Sequence, residues 1–598
     1  MDRLLLNQLV EVIEGRGRRW LKSLFTTAPT PDGVALDAFA PGTIGVLADG
    51  EEGRRFVSYA KPGTARAGLL RILQAHGVRT AFPPAVEAEA AAWLAAPGID
   101  DPSLVDLSHL PFVTIDNEDS RDLDQALYIE TQASAPVAAD ANVAYVVWYA
   151  LADAAYYVRP GTALYEEALL RGTSVYLPGL SVPMLPEVLS NDLVSLNPEV
   201  HRRAMVFAIQ VDAAGQVLRT EIMRGRILSR AKLSYDGVQV LHDTPALSPL
   251  SGQAYTPSLL LLGEVGAILM AAAKARNVVT FNRVDLEVRL NADGSRFTLG
   301  LENRNAVSRW NEQISLLCNI EGARFMLEGE DDGENQAIYR IHQSPGAHSL
   351  GELRVLIDEL VRAHGLRPSA WGWRQASESL ADYLERLPMT GQSERLRAAI
   401  ERQILLIHRR SVFSPEPGEH YALGVNPYCR FSSPMREIVG VFTHREAYQK
   451  LGIALAVPDS AYDTALRTSV IDAANRARQI QRNVSKAVDT LAVEQVMGED
   501  LAEPVATRPR YVGTILGMKA TSLYVRLDDP PVELKVHYRD IERVCNTELR
   551  LDKAQVVLSD AAGQTLYRVG DPIVLRVDAY NPQRRKWSVI PVLEEVDL

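Results

Sequence analysis

The sequence predicts a multidomain chain that mixes helices and strands without a regular βαβ alternation. Its 598 residues, 47% hydrophobic and 23% charged, suffice for several cores rather than one. Strand-like apolar runs at 111–115, 143–151 and 204–211 stand among helical runs at 256–275, 306–327 and 397–408. The last stretch, 508–594, changes character. Residues 511–516, 522–527, 532–536 and 573–577 read as short strands, of the kind that build a small five-stranded barrel of the OB type.

Taken in order, residues 1–105 form an accessory region. Apolar spacing predicts short helices over 4–13, 67–73 and 86–94, and strands at 43–46 and 55–60 flank a turn-like Asp-Gly-Glu-Glu-Gly. Helices with an intervening hairpin suit a small winged-helix or helix-turn-helix module; a plain helical cap is the alternative. Residues 106–505 hold the mixed region and end in a long helix over 460–497. That helix carries Arg467, Arg476, Arg478, Arg482 and Lys486, either a solvated face or a phosphate-facing stripe. In 508–594, Tyr524, His537, Tyr538, Arg576, Arg585 and Lys586 are candidates for stacking and charge on a single strand.

Composition excludes several classes. The three cysteines, Cys318, Cys429 and Cys545, lie far apart with no CxxC, so neither a disulfide framework nor a zinc knuckle is expected, and a reducing, cytoplasmic setting fits. The N-terminus has acidic residues within a short apolar stretch and no cleavage site, unlike a signal peptide. Residues 257–274 are apolar but broken by Glu264, which reads as a buried helix and not a membrane span. No coiled-coil pattern or sticky stripe is evident, so a monomer is expected. The net charge of −12 is wrong for a simple nucleic-acid coat; a nucleic-acid ligand would require positive charge gathered in a channel.

The segment Thr114-Ile115-Asp116-Asn117-Glu118-Asp119-Ser120-Arg121-Asp122-Leu123-Asp124-Gln125 sets five acids within nine positions just after an apolar run. Like charges so crowded are costly unless cations compensate them, and carboxylate oxygens suit a hard ion such as Mg²⁺ or Mn²⁺. The alternative is an ordinary solvated acidic loop.

The segment resembles the signature of the ribonuclease II / ribonuclease R family of 3′→5′ exoribonucleases, in which Ile-Asp at a strand end is followed by acids and then Asp-x-Asp. Further blocks follow in family order over some 340 residues. They include Leu151-Ala152-Asp153-Ala154-Ala155-Tyr156-Tyr157, Arg171-Gly172-Thr173-Ser174-Val175-Tyr176, Leu193-Val194-Ser195-Leu196-Asn197 and Ser229-Arg230-Ala231-Lys232-Leu233-Ser234-Tyr235. Ile338-Tyr339-Arg340-Ile341-His342, Glu419-His420-Tyr421 and Phe431-Ser432-Ser433-Pro434-Met435-Arg436 come later.

The resemblance implies an α+β fold: a mixed RNB-type catalytic domain with a central RNA channel, flanked by small accessory domains. It implies processive hydrolysis of single-stranded RNA from a free 3′ end to nucleoside 5′-monophosphates. Asp116, Asp122 and Asp124 would hold Mg²⁺ (or Mn²⁺), and Arg436 would clamp the scissile phosphate. Tyr176 would stack on a base near the 3′ end, with Phe281 as the opposite jaw. Glu312 would approach the terminal ribose, where a carboxylate accepting from a 2′-OH selects RNA over DNA. The chain departs from the pattern in two places. Gln125 stands where the family has a fourth aspartate, and Glu437, Ile438 and Gly440 replace a basic residue, Tyr and Asp after Arg436. Those departures motivate an alternative, a catalytically weakened RNA-binding protein on the same fold. A hydrolase of small phosphoesters is a third reading.

Overall fold

The computed structural model describes residues 3–593 apart from 28, 31–32, 51–52, 133–141, 280, 282–285, 302–303, 329–335, 390, 454–459, 582 and 584–585. Its centre is a seven-stranded mixed sheet. In spatial order the strands are Ala231–Ser234, Val113–Asp116, Gln125–Thr131, Tyr145–Ala152, His201–Val211, Val217–Leu228 and Val105–Asp106. The two edge strands pair in parallel and the other neighbours antiparallel. Tyr145–Ala152 and His201–Val211 are buried along nearly their whole length. Such strands read as continuous apolar runs, which is why they stand out in the sequence.

Helices Thr256–Ala275 and Ala306–Leu327 cross close beside this sheet. A Cβ on Gly266 would come within 2.4 Å of Trp310 Cβ, so glycine permits that approach. Thr256–Ala275 is the one described helix long and apolar enough to cross a membrane. Here its buried side includes Leu259, Leu262, Val265 and Leu269 in the main core, and Glu264 accepts from the Tyr145 hydroxyl at 3.2 Å.

The N-terminal region corrects the sequence reading at one element. Residues 4–13, expected as a helix, split into a single turn at Arg3–Gln8 and the strand Val10–Gly15. Arg16 and Gly17, both at positive φ, close a tight hairpin onto Arg18–Ser23. A short apolar run fits both periods, and this turn decides in favour of strand. With Ile44–Gly50 and Gly53–Ala60 the result is a four-stranded antiparallel sheet, followed by helices Ala65–Ala75 and Pro84–Ala92.

The C-terminal five-stranded sheet runs Glu533–His537, Ser522–Leu527, Tyr511–Lys519, Pro572–Asn581, Lys586–Pro591, with helix Tyr538–Cys545 following the third strand in sequence. Its core is shared. Helices Ala347–Ala363, Leu380–Arg386 and Gln392–Ile407 pack into the same apolar cluster as the barrel strands. Arg395 on Asp528 and Arg402 on Glu533 fix the docking at 2.6 Å each.

The helix Ser460–Asp500, 41 residues and about 60 Å long, ties these parts together. Val484, Val488 and Ala492 meet the helix Ala65–Ala75, Leu491 lies over Gly68, and Met497 enters the barrel core.

Candidate active site

Strand Val113–Asp116 ends on a half-buried carboxylate, and the chain there turns back on itself. Asp116 Oδ1 accepts from Asn117 N at 2.7 Å and from Ser120 Oγ at 2.9 Å, which curls the acidic loop. Two other segments clamp it. Lys232 Nζ donates to the carbonyls of Glu118 and Ser120. Ser195 Oγ donates to Arg121 O at 2.8 Å and accepts from Leu123 N at 3.0 Å. The sequence blocks around 195 and 232 therefore hold the loop from either side.

Asp124 closes the loop and is 2% exposed. Its Oδ1 accepts from Met435 N at 2.9 Å, and its Oδ2 from Arg436 Nε at 2.5 Å. Burial is the main cause that pushes this carboxyl up to about 6; Arg436 opposes the shift and Asp122 adds to it. Burial pulls the Arg436 guanidinium down, but Asp124, Tyr176, Asp116 and Asp122 together outweigh it and hold the pKa well above the ordinary arginine value. One cation thus stands among three carboxylates.

Tyr176 lies on the short strand Val175–Leu177 and is 43% exposed. Its hydroxyl donates to Asp122 Oδ2 at 2.9 Å, and its backbone is gripped on both sides by Gln481 at 3.3 Å. The Arg436 carbonyl accepts from Thr173 Oγ1 and Ser174 N, each at 2.9 Å, so the tyrosine strand and the arginine segment are mutually fixed.

Gln125 does not point free into the site. Its Oε1 accepts from the Tyr149 hydroxyl, and its Nε2 donates to Ser432 O at 2.6 Å. Asn319, fully buried, holds the same segment: its Oδ1 accepts from Phe431 N and Ser432 N, and its Nδ2 donates to Ser432 Oγ and the Tyr428 hydroxyl. Neither Asn319 nor Tyr149 was singled out in the sequence. A polar residue inside the apolar run 306–327 was the available signal for Asn319.

The remaining candidates have other partners. Glu312 is exposed and paired with Arg304 at 2.8 Å, one residue past Asn311, whose amide reaches the Tyr235 hydroxyl at 3.5 Å. Phe281 is half-buried and meets His408 edge-on at 5.8 Å between centroids, in a ring cluster with His342, His420 and Tyr421. In the barrel, Arg585 lies outside the described residues. Arg402, Lys486, Arg526, Lys535, His537 and Lys586 line a cleft of 540 Å³ between the barrel and the long helix. Trp587, which also lines that cleft, lies against Tyr580 with ring centroids 4.5 Å apart and planes tilted by 36°.

The donor chemistry fits a hard divalent cation, since every candidate ligand is a carboxylate. Among the described residues no three His, Cys, Asp or Glu side chains are gathered as a ready-made cage. Mg²⁺ is commonly held by one or two carboxylates together with substrate phosphates, so the donor set does not require one.

A family model, the RNB domain, matches residues 104–451, which contain the loop, Tyr176 and Arg436. The chain belongs to the RNB-domain family. Among curated relatives, ribonuclease R of Escherichia coli is 29% identical over 525 residues, covering 86% of this chain and 60% of that protein. Ribonuclease R of Vibrio cholerae is 28% identical over 498 residues, covering 81% and 56%. The chain thus spans about 60% of the length of the curated relatives it matches. Solved structures share the fold. Mycoplasma genitalium RNase R in complex with ribose-methylated single-stranded RNA superposes with a TM-score of 0.78 at 18% identity, covering 98% of this chain and 89% of that one. Yeast Ssd1, a pseudonuclease, gives 0.58 at 14% identity, covering 93% and 67%.

Proposed function

We propose that the chain is a divalent-cation-dependent exoribonuclease that shortens single-stranded RNA from a free 3′ end and releases nucleoside 5′-monophosphates. The observation that carries this reading is the meeting of Asp116, Asp122 and Asp124 with Arg436 and Tyr176 at one end of the central sheet. The family membership and the single-stranded RNA in the Mycoplasma complex support it.

Asp116, Asp122 and Asp124 would hold Mg²⁺ or Mn²⁺, which when bound polarises the scissile phosphate and lowers the pKa of the attacking water. Arg436 keeps its charge and offers a planar fork to phosphate oxygens as they gain negative charge. Tyr176 presents an exposed ring face to a base while its hydroxyl holds Asp122, so base stacking and the acidic site are coupled through one side chain. Stacking ignores base identity, as a sequence-indifferent nuclease requires.

The second reading, an RNA-binding protein of weakened activity, is favoured by Gln125, whose neutral amide is consumed by Tyr149 and Ser432. One experiment separates the two. The full chain is incubated with 5′-labelled single-stranded RNA and Mg²⁺ and followed for a descending ladder and mononucleotide release. Shortening that stops in the Asp124→Asn variant, with RNA binding retained, supports the nuclease; tight binding by the unsubstituted chain without shortening supports the second reading.

A further inference from the structure

Directly behind Arg436 lies a second charged cluster of opposite character. Arg430 donates from Nε to Glu437 Oε2 at 3.1 Å and from Nη2 to Ser433 Oγ at 3.2 Å. Arg340 reaches Ser411 Oγ at 3.1 Å, and the guanidiniums of Arg340 and Arg478 each stand 5.8 Å from the centroid of the same ring, Phe413. The Nε of Arg478 is buried with no hydrogen-bond partner. Glu437 is the acid that faces all three arginines, and together they overcome burial and hold its carboxyl below the usual range. The cluster therefore carries three guanidiniums against one carboxylate.

Among the described residues, no acid other than Glu437 stands out against these three arginines; Glu419 faces the neighbouring His342 instead. His420 lies beside Arg340 and Arg478, and burial with those charges drives it down to about 3, so it is neutral. Arg482 and Arg410, further along the long helix and the loop before Phe413, only add positive charge. The four cluster side chains are half-buried, so an anion can reach them from solvent. A comparable group elsewhere in the domain differs on both counts. Arg203 and Arg224 surround Asp153 in a closed interior, and Asp101 adds a second acid.

We propose that Arg340, Arg430 and Arg478 form a phosphate-binding site separate from the Asp124–Arg436 centre, where Glu437 answers only one of three positive charges. The two charges left over match a phosphomonoester, which carries close to −2 at neutral pH, better than a phosphodiester with −1. Guanidinium forks bind such groups bidentately. The chemistry of this site is independent of the function proposed above; only the identification of its natural ligand as the 5′-phosphate of a released nucleotide rests on that reading.

The test is equilibrium dialysis of the full chain with radiolabelled inorganic phosphate, and separately with adenosine 5′-monophosphate, without divalent cation. The expected result is one bound phosphate per chain, weakened about tenfold or more by Arg478→Gln, where at least one charge-assisted hydrogen bond is lost. Glu437→Gln is expected to tighten binding several-fold, and Asp124→Asn to leave it unchanged. Because Arg478→Gln removes a partly buried charge, Arg478→Lys and the melting temperature are followed alongside; a stable Arg478→Gln that binds like the unsubstituted chain overturns the site. Phosphate binding lost only in Arg436→Ala also overturns it, placing the anion at the carboxylate centre. If Arg478→Gln spares phosphate but lowers the salt slope of RNA binding by about one charge, the cluster serves the RNA backbone and the phosphomonoester assignment fails. None of these binding readouts requires RNA cleavage, so an inactive chain leaves the proposal fully testable.

Discussion

Two buried aspartates sit at the same end of the central sheet on neighbouring strands. Asp124 leads into Gln125–Thr131 and Asp153 follows Tyr145–Ala152, and Ala152 N donates to Asp124 O at 2.9 Å. Both bind arginine, yet their charge accounts differ. Asp153, 0% exposed, takes Arg224 at 2.9 Å and Arg203 at 3.2 Å; Asp101 adds a second acid, and the Tyr156 ring lies under both guanidiniums. Two acids meet two bases, and the exposure of the group is confined mainly to Asp101, whose side chain is 30% exposed. Around Asp124, three acids meet one arginine whose side chain is 31% exposed. A structural ion cluster inside a protein is balanced because every uncompensated charge costs desolvation energy. Imbalance persists where a ligand's charge completes the site, as the proposed cation would beside Asp124.

The comparison can be broken at either member. The largest effect is expected from Asp124→Asn, a drop in RNA shortening of about 10³-fold or more, since a site-bound cation contributes several kcal/mol to the transition state. The melting temperature should move little, because burial and Asp122 already disfavour the charge that the amide removes, which offsets the lost ion pair with Arg436. Asp153→Asn should do the reverse. Removing one partner of a buried pair costs about 3–5 kcal/mol, read as an earlier urea midpoint, with unchanged turnover per folded molecule. A destabilised Asp124→Asn with normal turnover would erase the distinction.

Arg436→Lys keeps charge but loses the fork, and is expected to lower turnover about 10²-fold with little change in RNA affinity. Tyr176→Ala should instead weaken RNA binding by about 1–3 kcal/mol through lost stacking, seen in a titration at fixed salt. The smallest effect concerns the histidine wall beside the arginine cluster. Burial is the first cause that lowers His342, pushes His408 down to about 4 and His420 down to about 3, against an ordinary value of 6.5. The folded state thus binds fewer protons than the unfolded state. Stability is whole above about pH 6.5 and falls as pH drops from there toward 4, by at most about 1.4 kcal/mol per pH unit for each histidine. His408→Gln should flatten the acid limb of the urea midpoint against pH.

Much of the site was legible in the chain itself. Asp116, Asp122, Asp124, Tyr176 and Arg436 all stand in motifs that can be read without coordinates, and the structure brings them together. Phe281 and Glu312 make other contacts: one packs on His408 and the other pairs with Arg304. Asn319 and Tyr149 went unread because each works through a partner more than a hundred residues away or across a strand pair, and nothing in their neighbours encodes that contact.

The sequence by itself determined the acidic loop, the buried strands and the alternating strands of the C-terminal barrel, because periodicity and local charge are properties of neighbouring residues. Only the tertiary structure decided that residues 4–13 split into a turn and a strand, that helices from 347 to 407 share the barrel's core, and that Arg436 stands among three carboxylates while three other arginines surround Glu437. Those outcomes depend on which distant charges and apolar faces meet. Coulomb energy and burial depend on distance in space, and separation along the chain does not record it.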